Sequence, residues 1–290
     1  REAQDKEKLF AFDEVAAKTN ASQAEICVLV ETPEQARVAL KAGADRLYAT
    51  TDVLTDASWP EDLLAKIVPR LDEVCREIDH NRLDPYVVPG KPVAVGNISE
   101  LALAVERGAV PEVRECIPIH NDYALQALAD MGAEGVWLNS ELTLQEICHM
   151  ARNALIPVGY MVSGRIRTMT TEHCILMSTG KCIHDCDACK LRLEEHTLRG
   201  IDNDYMPVRT DRHGRSKIWS PKLFDGVPEI SEMLSAGVKC FMVDATLLSV
   251  EQTREAASRV AAAIEATASG ASLPPRLKDA SVGHLFSPIG

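Results

Sequence analysis

The chain has 290 residues, 46% hydrophobic and 26% charged, an ordinary folded composition with enough length for one large core. No apolar run reaches the ~18–20 residues of a membrane span, and the opening REAQDKEKLF lacks a secretory apolar stretch, so a cytoplasmic chain with no membrane partner is expected. A net charge of −12 disfavours broad binding to nucleic-acid phosphates, although Arg165, Arg167, Arg192, Arg199, Arg209, Arg212 and Arg215 gather in the second half as a candidate basic patch.

The chain starts at Arg1 rather than methionine, so a fragment or a processed protein is expected, with residues 1–23 forming an N-terminal extension. Beyond them one joint recurs, a helix ending in a small residue and glycine followed by a short apolar strand. It occurs at ALKAGADRLYAT (39–50), ALADMGAEGVWLNS (127–140) and MLSAGVKCFMVDAT (233–246), with a weaker copy at AVERGAVPEVRECIPI (104–119). Each glycine suits the left-handed position that ends a helix, and each apolar run suits a strand buried on both faces.

These joints predict strands at 25–30, 46–50, 65–69, 92–96, 113–119, 135–139, 157–162 and 240–244. Amphipathic helices are expected between most of them, among them 33–42 behind Pro33, 142–153 behind Ser140-Glu141, and a last helix at 249–267. Eight strands make an α/β fold of the (β/α)8 TIM-like barrel kind over 24–270. A doubly wound sheet is the alternative, but no glycine-rich dinucleotide loop follows any strand.

About eighty residues separate the seventh strand from the eighth, far more than one crossover needs, so 163–226 is expected to be a functional insertion. It carries a cysteine-rich loop and then YMPVRTDRHGRSKIW, a hairpin turning at His213-Gly214. The proline-punctuated end, 271–290, is expected to pack on the barrel as a tail.

Five of the nine cysteines, Cys27, Cys75, Cys116, Cys148 and Cys240, stand alone and suit buried apolar positions. Cys174, Cys182, Cys186 and Cys189 instead fall within sixteen residues, in EHCILMSTGKCIHDCDACK, and predict one shared metal centre. Four thiolates match a 4Fe-4S cluster or a tetrahedral zinc, and crowding into one short loop favours the cluster. The nested Cys182-x3-Cys186-x2-Cys189 has radical S-adenosylmethionine spacing. Cys174 would close the position that such chemistry needs open, and Ala188 stands where an aromatic is usual.

Functional groups of a barrel sit at the C-terminal ends of its strands. Those ends give Glu31, Arg70, Asn97, His120, Asn121, Ser140, Glu141, Arg165 and Asp244 as pocket candidates. His120, Asn121 and Glu141 are the preferred polar substrate contacts and Arg165 an anion anchor. Ser140 and Glu141 also suit helix capping, and Asp244 an ion pair, so no catalytic step is assigned. Neither H-E-x-x-H nor G-x-S-x-G occurs.

Several segments together resemble the collagenase-like peptidases of unknown catalytic type, family U32. They are TPEQARVALKAGADRLYA, AVGNISELALA, IHNDYALQALADMGAEGVWLNSELTLQEI, GYMVSGRIRTMTTEHC, YMPVRTDRHGRSKIWSP and VGHLFSPI, and the resemblance covers about residues 24–289. It implies a barrel module that follows another copy in long members, so another barrel of the same chain is an expected partner. The family label is peptidase, a hydrolase. Better-understood relatives look like iron-sulfur proteins of oxygen-independent hydroxylation, acting on RNA pyrimidines or the ubiquinone ring. There four cysteines hold the cluster, a role that Cys174, Cys182, Cys186 and Cys189 would take. Some relatives carry a ligand near SPKLFDGV, where this chain has Phe224 and Asp225. The resemblance thus implies a modifying enzyme acting on an RNA base or an aromatic ring. The alternatives are a true peptidase acting on peptides and a non-catalytic, zinc-stabilised module.

Overall fold

Eight short parallel strands close into a ring in the computed structural model, which describes residues 24–56, 58–180, 182–185, 188–192, 194–201 and 203–288. The expected extension 1–23 lies outside the described residues. The first seven strands are β1 (Glu25–Leu29), β2 (Arg46–Thr50), β3 (Ile67–Arg70), β4 (Pro92–Val95), β5 (Val110–Val113), β6 (Gly135–Trp137) and β7 (Val158–Gly164). The insertion adds β8 (Arg167–Thr171), β9 (Glu195–Arg199), β10 (Tyr205–Thr210), β11 (Ser216–Trp219) and β12 (Phe224–Asp225) before the last barrel strand, β13 (Cys240–Asp244). β1 pairs with both β2 and β13, and β6 with β7, so the barrel is closed. The expected (β/α)8 barrel is the observed fold.

Period-two alternation divides each strand between two cores. On β1, Ile26 and Val28 pack outward under the helices, while Cys27 and Leu29 join Tyr48, Val68, Ala94, Trp137 and Met242 in the lumen. The Trp137 indole rests on Gly159, where an added Cβ would come within 2.5 Å of ring carbons. The helix Pro33–Lys41 begins at Thr32 in a capping box with Gln35. Gln35 Nε2 donates to the Ala245 and Leu248 carbonyls at 2.9 and 2.8 Å, tying the first helix to the loop after β13.

Most boundaries move by a residue or two, and two of the differences matter for the site. The fifth strand is Val110–Val113 rather than 113–119, because the apolar run continues for another reason: Ile119 is buried in the outer core as loop, not strand. The helix expected from 142 is Leu144–Asn153, capped by Thr143, whose hydroxyl accepts from Glu146 N while Glu146 bonds back. Ser140 and Glu141 are thereby left free of capping.

The insertion folds as a separate antiparallel sheet, in the order β8-β11-β10-β9. β10 and β11 form the expected hairpin, turning at Gly214 with φ +80°. β12 returns antiparallel to β7. Asp225 is fully buried and accepts from Leu277 N at 2.7 Å and Arg259 at 3.0 Å, so it anchors the tail. The tail also docks through Leu144 N to the Leu285 carbonyl at 2.9 Å.

After β4 the chain turns at Gly96, whose missing Cβ would collide with the Asp72 carbonyl oxygen at 2.2 Å. Gly96 N donates to Glu100 at 2.9 Å, and this carboxyl is 2% exposed. Burial raises its pKa to about 7, against the opposing pull of the Gly96 hydrogen bond and Arg114. The folded state therefore holds a proton that the unfolded chain releases above ~4.3, and stability falls as pH rises from there to about 7. Glu100→Gln is expected to remove most of that decline, a difference of ~3 kcal/mol by pH 8, measured as denaturation midpoint against pH.

Candidate active site

A cavity of about 500 Å³ opens at the C-terminal ends of the barrel strands. Its floor is the top of the lumen, with Trp137, Met161 and Met242; one wall is the insertion, through Arg167–Thr170 of β8, Arg209 of β10 and Trp219 of β11. Mixed charge lines the remainder.

The charges form a connected network. Arg70, from the end of β3, donates to both Glu115 oxygens at 2.6 Å. Arg114 reaches Glu73 at 3.1 Å and Glu115 at 3.5 Å, and it also donates to the Leu71 carbonyl. Arg167, from β8, pairs with Glu73 and lies 3.4 Å from Glu115. Burial raises the Glu115 pKa, but Arg70, Arg114 and Arg167 outweigh it and hold the carboxyl well below its usual range. Glu73 is likewise lowered, Arg167 and Arg114 overcoming its burial.

Across the cavity, Arg209 donates to Glu31 at 2.6 Å, joining β10 to the end of β1. Burial nevertheless raises the Glu31 pKa, with Asp244 adding to the rise and Arg209 opposing it. Glu31 is therefore a lining carboxyl that binds its proton more tightly than an ordinary carboxylate. A second set of pairs holds the hairpin turn: Arg215 meets Asp72 at 2.6 Å and Asp79 at 2.8 Å, with both sites shared by Arg82.

Of the expected pocket residues, Glu31, Glu141 and Asp244 line this cavity, together with Arg70 and Ser140. Asn97, His120, Asn121 and Arg165 do not. Asn97 and Asn121 are helix N-caps, accepting from Glu100 N at 3.0 Å and Ala124 N at 2.9 Å. His120 and Asn121 face a separate outer pocket beside the helices Asp122–Asp130 and Leu144–Asn153, with His120 3.7 Å from Glu141. Arg165 lies outside the cavity lining, and its Nη1 donates to the Ser220 and Pro221 carbonyls at 3.0 and 2.5 Å.

Arg114, Glu115, Glu73 and Arg167 were not among the expected residues. The first two fell inside a strand drawn too far toward the C-terminus. The charged pair Arg114-Glu115 amid apolar neighbours was the signal that the strand had ended. The candidate basic patch is paired internally rather than free: Arg199 binds Asn203, and Arg192 the Arg212 carbonyl.

β8 carries the cavity wall directly into the cysteine loop. A single turn, Ile175–Thr179, follows Cys174 and ends at Gly180 with φ +69°; Ile175 N donates to Ser216 Oγ at 3.1 Å. Cys174, Cys182 and Cys189 are half-buried free thiols, and Cys186 lies outside the described residues. The three described sulfurs do not all lie within 4.8 Å of one another. Four thiols on one loop nonetheless have the donor chemistry of a thiophilic metal or an iron-sulfur cluster.

Removing the shared acceptor should expose how much the network contributes. Glu115→Gln leaves Arg70 and Arg114 charged and buried, so a loss of ~3 kcal/mol in chemical denaturation at pH 7 is expected. Because the Glu115 pKa is depressed, its stabilisation is present above the unfolded value of ~4.3 and disappears as pH falls below it. The wild-type advantage over Glu115→Gln should shrink in that acid range.

The chain resembles known proteins to different degrees. Among solved structures the chain is similar to one titled "Native KDPGal structure", at 13% identity and TM-score 0.48, covering 84% of this chain and 95% of that one. It is also similar to thiamine phosphate pyrophosphorylase from Pyrococcus furiosus, at 11% identity and TM-score 0.45, covering 85% and 98%. Orotidine 5'-phosphate decarboxylase from Pyrococcus horikoshii OT3 gives 10% identity and TM-score 0.43, covering 83% and 99%. No curated protein matches. The family model described as Peptidase family U32 matches residues 113–281, more than half of the chain and the whole stretch from the end of β5 to the tail. The chain belongs to peptidase family U32.

Proposed function

We propose that this protein is an iron-sulfur-dependent modifying enzyme rather than a protease, and that it hydroxylates an aromatic ring, an RNA pyrimidine or a small aromatic, without molecular oxygen, the hydroxyl oxygen coming from an organic oxygen donor that is itself reduced by the two electrons taken from the ring C–H. The observation that carries this reading is the make-up of the cavity. No histidine lines it among the described residues, and its one cysteine, Cys116, lies with Sγ 3.3 Å from the Gly96 carbonyl oxygen. Burial raises the Cys116 pKa, with Arg114 only partly opposing. Among the described residues of the cavity no cysteine or serine is paired with a histidine base, the core of serine or cysteine proteolysis.

The cavity suits a flat ring. Trp137, Trp219, Met161 and Met242 offer apolar and polarisable surface, and the guanidinium groups are already occupied by carboxylates. Lining carboxylates outnumber lining cations, so the interior favours a neutral ring over a bare phosphate. Glu31 would hold or deliver a proton at its carboxyl, and Arg209 would orient it. The β8 sheet would exclude water from above.

Cys174, Cys182, Cys186 and Cys189 would hold the cluster. When bound, it supplies single-electron transfer close to the cavity wall. Continuity of β8 from the Arg167–Thr170 wall to Cys174 supports this pairing of cluster and pocket.

Anaerobic purification is expected to give a brown protein with about four iron and four sulfide per chain, lost in Cys186→Ala. Stoichiometric zinc with no iron would instead favour a zinc-stabilised module, and cleavage of peptides by the purified chain would favour the hydrolase. Glu31→Gln should retain the cluster yet lower turnover by ~10²-fold or more, followed by mass spectrometry of the modified ring.

A further inference from the structure

We propose that Glu25, Cys27 and Cys240 form a second metal site, at the N-terminal mouth of the barrel, for a thiophilic cation of which zinc is the first choice. A carboxylate oxygen of Glu25 and the two Sγ atoms all lie within 4.8 Å of one another. Strand register produces this grouping. Glu25 and Cys27 are two apart on β1 and share its inward face, and Cys240 is the direct partner of Glu25 on β13.

The pair is unsuited to a disulfide. Cys27 stands opposite Met242, so it is offset from Cys240 by two residues across parallel strands. With strands ~4.8 Å apart and a rise of ~3.3 Å per residue, their Cα atoms are ~8 Å apart. A disulfide requires less than ~7 Å. A bridging ion has no such limit, because sulfur and oxygen ligands at ~2.3 and ~2.1 Å from zinc need only approach within ~4 Å of one another. Side-chain rotation of about 1 Å closes the difference.

The surroundings fit a metal rather than an apolar plug. Cys27 is fully buried and Cys240 nearly so, whereas Glu25 stands at the rim of a cavity of about 350 Å³ that gives access from solvent. Arg46 reaches Glu25 at 3.4 Å and also pairs with Glu112. Glu112 is committed elsewhere, accepting from Tyr48 OH at 2.6 Å and Trp137 Nε1 at 3.3 Å. Arg46 thus positions the Glu25 carboxylate while Glu112 stays out of the set. Two thiolates and one carboxylate make a three-ligand site with a fourth position open to water. Its location is the seam where the first and last barrel strands meet, so a bound ion would staple the barrel shut.

The test must separate this site from the cysteine loop. In a full chain carrying Cys174, Cys182, Cys186 and Cys189 all changed to Ser, added Co²⁺ is expected to give a thiolate charge-transfer band at about one equivalent. Zinc should displace it and raise the melting temperature. Cys27→Ala and Cys240→Ala should each abolish the band. Glu25→Gln, at the exposed rim, should weaken zinc roughly tenfold or more with the far-UV circular dichroism unchanged. If the loop background does not fold, the intact chain serves: Cys27→Ala/Cys240→Ala should lower bound zinc by about one equivalent. Metal binding unaffected by that pair of changes, or no thiolate band in a folded loop background, overturns the proposal.

Discussion

The ion pairs among Arg70, Glu115, Arg114, Glu73 and Arg167 are the interaction on which the rest of the mouth depends. Arg70 and Arg114 are almost fully buried at the ends of β3 and β5, where an unpaired guanidinium would be costly. Each is compensated by a carboxylate from the end of the other strand, across the intervening β4, and both carboxylates are shared with Arg167 of the insertion. The same contacts that neutralise the barrel's buried charge therefore hold the inserted sheet over its opening. Arg209 and Arg215 repeat the device on other sides, bonding to Glu31 and to Asp72 and Asp79.

This arrangement links architecture to chemistry. A barrel mouth is ordinarily built from short loops; here one wall is a four-stranded sheet whose first strand continues into the cysteine loop. Charge inside the cavity is spent on holding that wall, so apolar surface is left to meet a substrate. Trp137 lies between the two ends of the lumen, lining both the upper and the lower cavity. Gly159 makes room for it, and Tyr48 packs edge-on against it at 5.6 Å. The two ends of the barrel are in this way chemically separate: a mouth of ion pairs and aromatic surface above, thiols and carboxylates below.

Much of this was readable from the residues. Glycine joints and apolar runs located seven of the strands within a few residues, because a strand buried on both faces leaves a continuous apolar signature. The fifth strand failed for the same reason, since Ile117 and Ile119 extend the signature while packing as loop. Strand ends also pointed to Glu31, Glu141 and Asp244, which the structure places at the mouth, but not to the fate of their neighbours. Asn97 and Asn121 had the right positions, yet each was taken by the nearest unpaired helix N–H. The third unit, with its irregular RLDEVCREIDHNRLDPY, concealed Asp72, Glu73 and Asp79, whose partners lie far away in sequence.

By itself the sequence determined what is local and periodic: the alternation of strands and helices, the hairpin at Gly214, the long insertion, and the crowding of four cysteines. Those features follow from neighbouring residues, whose spacing dictates backbone conformation and which face is apolar. Only the tertiary structure decided which charges neutralise one another, which strand-end side chains face the cavity, and that Cys27 and Cys240 meet. Each of those depends on residues dozens to hundreds of positions apart, brought together by strand register and barrel closure, which no short pattern encodes.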